Sequence, residues 1–107
     1  MSNTQTDIDY FLRQNNINLE IKIIDDNIIY ISNENSDQFY QIFIKKYVNN
    51  VDIDVIRNVV RHDDSIVSHK QESINTSFSD LYTELQKYNI IDNDKLTKIT
   101  NYIAHIF

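Results

Sequence analysis

The chain has 107 residues, with 16 Asp and Glu against 10 Lys and Arg, a formal charge of −6, and no Gly, Pro or Cys. A hydrophobic share of 41% with 24% charged residues fits one globular domain over residues 1–107 and is too apolar for a disordered chain. Without cysteine there are no disulfides and no cysteine-ligated zinc or redox centres, and without glycine the Gly-dependent phosphate loops, dinucleotide fingerprints and nucleophile elbows are excluded.

The negative charge argues against direct nucleic-acid binding, which needs clustered Lys and Arg to neutralise phosphates. It is unevenly spread: residues 1–64 hold eleven acids and six bases, residues 65–107 five acids and four bases. Residues 1–6 show neither the basic nor the apolar part of a signal peptide, and no apolar run is long enough to span a bilayer, so a cytoplasmic location is expected. Heavy use of Ile, Asn, Lys, Asp and Tyr with almost no Ala fits an AT-rich genome, such as that of a low-GC bacterium or its phages.

In chain order, Thr6 is a candidate cap for a helix to about Asn15, with Ile8, Phe11 and Leu12 at helical spacing and Asp7 and Asp9 near its positive end. Residues 18–23 alternate with period two, placing Leu19, Ile21 and Ile23 on one face of a strand. Asp25-Asp26-Asn27 reverses the chain into a second strand, Ile28–Ser32. Residues 38–48 satisfy both periods, but their β-branched and aromatic content favours a third strand over a helix. In a chain without Gly or Pro, Asn and Asp must make the turns because they tolerate the left-handed region. The candidate breaks are Asn15-Asn16, Asp25-Asp26-Asn27, Asn33-Glu34-Asn35, Asn49-Asn50, Asp63-Asp64 and Asp92-Asn93-Asp94.

Asp52 suits the N-cap of a helix to about His62, with Ile53, Ile56 and Val60 on one stripe. Residues 62–75 are polar and read mostly as loop. Two further helices follow, one capped at Ser77 and carrying Phe78, Leu81, Tyr82, Leu85 and Tyr88, the other starting at Asp92 and carrying Leu96, Ile99, Ile103 and Ile106. The expectation is an α+β fold in the order α-β-β-β-α-α-α, a small three-stranded antiparallel sheet packed by about four helices.

No motif announces catalysis, a metal or a cofactor. His62, Asp63, Asp64 and His69 form the only cluster with metal-ligand chemistry, and its spacing is not that of a helical zinc motif. Asp25, Asp26, Glu34, Asp37, Asp52, Asp54, Asp63 and Asp64 fall at turns and helix starts, where Asp is at home for local reasons, yet they can also form an acidic ridge. That ridge suggests a non-enzymatic inhibitor, of the toxin-immunity or phage anti-defence kind, that occludes the basic surface of a nucleic-acid-acting protein such as a nuclease. Alternatives are an adaptor domain or homo-oligomer joined through a strand edge or the helical hairpin, and a small hydrolase using a metal on His62, Asp64 and His69.

Overall fold

Most of the sheet is made by residues whose apolar side chains recur at every second position. The computed structural model describes residues 5–33 and 37–107. Its elements are α1 (Gln5–Gln14), β1 (Glu20–Asp25), β2 (Ile28–Ser32), β3 (Gln38–Lys46), β4 (Asn50–Val60), β5 (Ile66–Ser77), a 3-10 turn (Phe78–Asp80), α2 (Leu81–Gln86) and α3 (Asn93–Ile106). The strands form one five-stranded sheet in sequence order, with every neighbouring pair antiparallel.

The register aligns Ile21, Ile31, Ile42 and Val55 across four strands, and Ile23, Ile29, Ile44, Ile53 and Ile74 across five. These rows lie on one face, called here the inner face. Ile8 and Leu12 of α1, Leu81 and Leu85 of α2, and Leu96, Ile99 and Ile103 of α3 join them in a single buried cluster. Burying an aliphatic side chain contributes roughly 1.5–3 kcal/mol, so this layer is the main source of stability. The Phe11 and Tyr102 rings stack at 4.2 Å, and Lys95 Nζ donates to the Asn16 carbonyl, tying α1 to α3. Among the described residues no helix is long and apolar enough to cross a membrane.

Mixed α+β architecture holds, but the expected three-stranded sheet with about four helices is overturned. The stretch expected to be a helix from Asp52 to His62 is β4, and most of the expected loop 62–75 is β5. The Ile53, Ile56, Val60 stripe is a coincidence of spacing. Val51, Ile53 and Val55 are buried and alternate with Asp52 and Asp54, and a segment this rich in β-branched residues favours strand. Strand β5 lacks an apolar pattern because it is an edge: Ile74 packs on the core, while Ser68, His69, Lys70, Gln71 and Ser73 are exposed.

Turn chemistry follows the absence of glycine. Asn16, Asp64 and Asn89 adopt φ of 53°, 67° and 50°, in the left-handed region that glycine usually fills. Asn89 was not among the sequence-predicted breaks. In the β4–β5 hairpin the Arg61 amide donates to Ser65 O and the Asp64 amide to Arg61 O, a three-residue loop with its left-handed residue at Asp64. Asp92 caps α3, its carboxylate accepting from the Lys95 amide at 2.9 Å. Ser77 instead bonds the side chains of Ser79 and Asp80.

The two sheet edges are treated differently. Along β1, the Gln5 amide Nε2 donates to Ile21 O at 2.7 Å and its Oε1 accepts from the Ile23 amide at 3.1 Å. One side chain thus replaces the bonds a sixth strand would make and blunts that edge. Gln5→Ala removes both bonds and is expected to cost about 1 kcal/mol, a fall in Tm of about 5 °C, with faster hydrogen exchange at the Ile23 amide. Unchanged exchange there would mean that the side chain does not close the edge.

Candidate functional site

The sheet face opposite the helices is the outer face, and its side chains bond one another across strands. Tyr30 Oη accepts from Gln41 Nε2 at 2.9 Å, Gln41 Oε1 accepts from Asn58 Nδ2 at 3.0 Å, and Asn58 Oδ1 accepts from the Ser68 hydroxyl. This chain crosses β2, β3, β4 and β5. Asn58 is only 2% exposed and Ser32, on the same face, 1%, so larger neighbours enclose the small polar residues. Tyr30 and Phe43 meet with ring centroids 5.0 Å apart beside them.

Strand register also places two candidate acids on this face. Asp52 lies in the row Ile28, Lys45, Asp52, Asn75, and Asp54 in the row Tyr30, Phe43, Asp54, Ser73. Asp52 Oδ1 accepts from Asn75 Nδ2 at 2.6 Å, and Asn50 Nδ2 donates to Asn75 Oδ1 at 2.9 Å. Asp54 Oδ1 accepts from the Ser73 hydroxyl at 2.7 Å. Both carboxylates are thus fixed by uncharged donors on β5.

In an antiparallel meander successive connections alternate ends, so the candidate acids of the loops divide into two groups. Asp25 and Asp26 sit in the β1–β2 turn, at the same end as Tyr47–Asn50, and Asp25 Oδ1 accepts from the Asp26 amide. Asp37, Asp63 and Asp64 meet at the opposite end, where with Val59, Val60, Arg61 and His62 they line an open cleft of about 800 Å³. Glu34, in the β2–β3 connection, lies outside the described residues. The acids expected to form a ridge are therefore arranged as two ends joined by an outer-face pair.

Asp63 is the best-defined member of the second group. Its Oδ1 accepts from the Ser65 hydroxyl at 2.6 Å and from the Ser65 amide at 3.1 Å. These bonds, the hydroxyl first, hold its carboxyl below the ordinary value of 3.8, because they favour the ionised form. Ion pairs are formed by Glu20 with Lys22, Glu84 with Lys87 and Asp92 with Lys95. None of the seven described candidate acids is in direct ion-pair contact with a base among the described residues, although Lys45 stands opposite Asp52 and Arg61 shares the cleft with Asp37, Asp63 and Asp64.

His62 stands in the hairpin loop, whereas His69 lies within β5 opposite Arg57. Among the described residues no three His, Cys, Asp or Glu side chains come together as a metal site. Sequence reading missed the neutral donors Ser65, Ser73 and Asn75. Ser65, two residues after Asp63, was legible as a local turn partner, whereas Ser73 and Asn75 need the β4–β5 register.

A second polar feature lies on the inner face beside α2. Tyr40 and Tyr88 pack at 5.2 Å, while Glu72 Oε1 and Tyr88 Oη are buried and neither makes a hydrogen bond of normal geometry. Burial first, and then the neighbouring Glu72 carboxylate, push the Tyr88 phenol well above its ordinary value of 10.0. Comparison with known proteins gives no assignment: no protein-family model, curated protein or solved structure matches the chain.

Two titration experiments follow. Ser65→Ala should raise the Asp63 pKa toward its ordinary value, read by NMR; an unmoved titration would mean that Ser65 does not hold the charge. The raised Tyr88 pKa means that the unfolded chain loses the phenolic proton first, so this contribution to stability is full below pH about 10 and lost as pH rises toward the folded value. Tyr88→Phe should therefore lose less stability than the wild type in alkaline denaturation, and an equal loss would place the sensitivity elsewhere.

Proposed function

We propose that this protein is a non-enzymatic, acidic binding protein that occludes the basic surface of a nucleic-acid-acting protein, such as a nuclease, in the manner of toxin-immunity or phage anti-defence inhibitors. The observation that carries this reading is how the candidate acids are held. Asp25, Asp52, Asp54 and Asp63 accept hydrogen bonds from uncharged donors, and no described member of the set is ion-paired with a base. A carboxylate oriented by neutral donors keeps its full charge and a fixed position, the two properties needed to steer and register a cationic partner.

The layered architecture supports the same reading. Among the described residues the helices occupy only the inner face, leaving the outer-face acids Asp52 and Asp54 and the β4–β5 hairpin tip open to a partner. The end bearing Asp37, Asp63 and Asp64 is concave and suits a protruding basic segment. The cysteine-free chain is suited to the cytoplasm, where such a target would be met.

The test uses the triple variant Asp37→Asn, Asp63→Asn and Asp64→Asn, which preserves side-chain shape and the left-handed turn. Proteins captured from bacterial lysate by the wild type at low salt, and released at high salt, are purified and assayed for nucleic-acid chemistry with and without this protein. The variant should associate with the captured partner about tenfold more slowly at low salt, and the wild type should suppress the partner's activity. Equal association rates for wild type and variant would contradict the proposal, as would a partner whose activity is undisturbed.

A further inference from the structure

The strand edge opposite the one closed by Gln5 is left open. β5 has 12 residues, against six for β1. Among the described residues the backbone bonds of β5 that can be traced run to β4, and no turn or loop amide bonds its far side. The Arg61 amide bonds Ser65 O, so by antiparallel alternation Val51, Ile53, Val55, Arg57 and Val59 exchange backbone bonds with β5. Their partners are Thr76, Ile74 and Glu72 before the bulge, and His69 and Val67 beyond it. The amides and carbonyls of Ile66, Ser68, Lys70, Ser73 and Asn75 therefore point away from the sheet.

We propose that this edge pairs with the same edge of a second copy of the chain, joining two five-stranded sheets antiparallel about a two-fold axis between Lys70 and Gln71. The bulge decides the register. It inverts the in-out parity between the two halves of β5, so residues of one half match the face of residues in the other half only when their numbers differ in parity. With the axis between Lys70 and Gln71, Ser68 bonds Ser73 of the second copy and Ile66 bonds Asn75. On the inner face Val67 meets Ile74, and His69 meets Glu72. Symmetry repeats each pair.

Complementarity singles out a second copy rather than an unrelated strand. Apolar faces apolar and imidazole faces carboxylate, twice over, from one sequence. Glu72 is only partly buried on that face, so its carboxylate is open to His69 of the second copy. Bulges and lysines ordinarily protect exposed edges. Here both sit at the axis, and the flanking segments 66–69 and 72–75 remain regular.

The chain has no cysteine, so Gln71→Cys is a single-site probe of the axis, with Ala104→Cys, exposed on α3, as its control. Mild oxidation should link Gln71→Cys into a species of twice the 12.8 kDa chain mass, and leave Ala104→Cys unlinked. In sedimentation the wild type should run as a dimer at about 100 μM. His69→Glu should weaken it by about tenfold or more, and adding Glu72→His to that variant should restore it. A monomeric wild type, equal cross-linking of the two cysteine variants, or a dimer indifferent to His69→Glu overturns the proposal.

Discussion

The inner face of the sheet sets everything else. Rows of isoleucine and valine run across four and five strands, and leaving them in water would cost far more than the few kcal/mol by which a domain of this size is stable. They must be covered, and α1, α2 and α3 cover them. Because all three helices pack on that one face, the outer face must be compatible with solvent, and the edges must be managed by side chains. Gln5 does this for β1. On β5 only the bulge and Lys70, at its middle, do so, and the segments on either side carry no such cover among the described residues.

The outer face meets its requirement through cross-strand hydrogen bonds rather than ion pairs. The chain from Tyr30 to Ser68 satisfies polar groups that the register places side by side, and a one-residue slip would break every link in it as well as expose the isoleucine rows. The same habit extends to the carboxylates, which take their bonds from Ser and Asn. Among the described residues these carboxylates are therefore held by neutral donors and not by direct ion pairs. The proposed interaction with a cationic surface rests on that property and not on the overall charge, which by itself also serves solubility.

Much of the architecture was legible in the residues. Period-two alternation located β1, the Asp25-Asp26-Asn27 turn before a β-rich run located β2, β-branched and aromatic content preferred strand over helix for residues 38–48, of which 38–46 form β3, and capping chemistry placed the start of α3. The helix expected over 52–62 fell to the argument that had decided β3, since Val51 to Val60 is equally rich in branched residues; an Asp in a capping position and a fortuitous stripe outweighed it. β5 was hidden for a different reason. An edge strand with one exposed face and a bulge shows neither alternation nor apolar density, and its pairing is written in β4 rather than in itself. The candidate acids were found because acidic turn residues are conspicuous, but their division between two ends depends on strand count, and their neutral donors on register.

Carboxyl-group footprinting of the protein bound to its captured partner tests the central claim most directly. Labelling with a carbodiimide and an amine, read by mass spectrometry, reports each Asp and Glu separately. The account predicts that Asp37, Asp63 and Asp64 lose reactivity on binding, while Asp92 and Asp94 at the start of α3 keep theirs. Protection of Asp92 and Asp94 with Asp37, Asp63 and Asp64 still reactive would place the partner on the helical side, and would contradict a role for the cleft carboxylates.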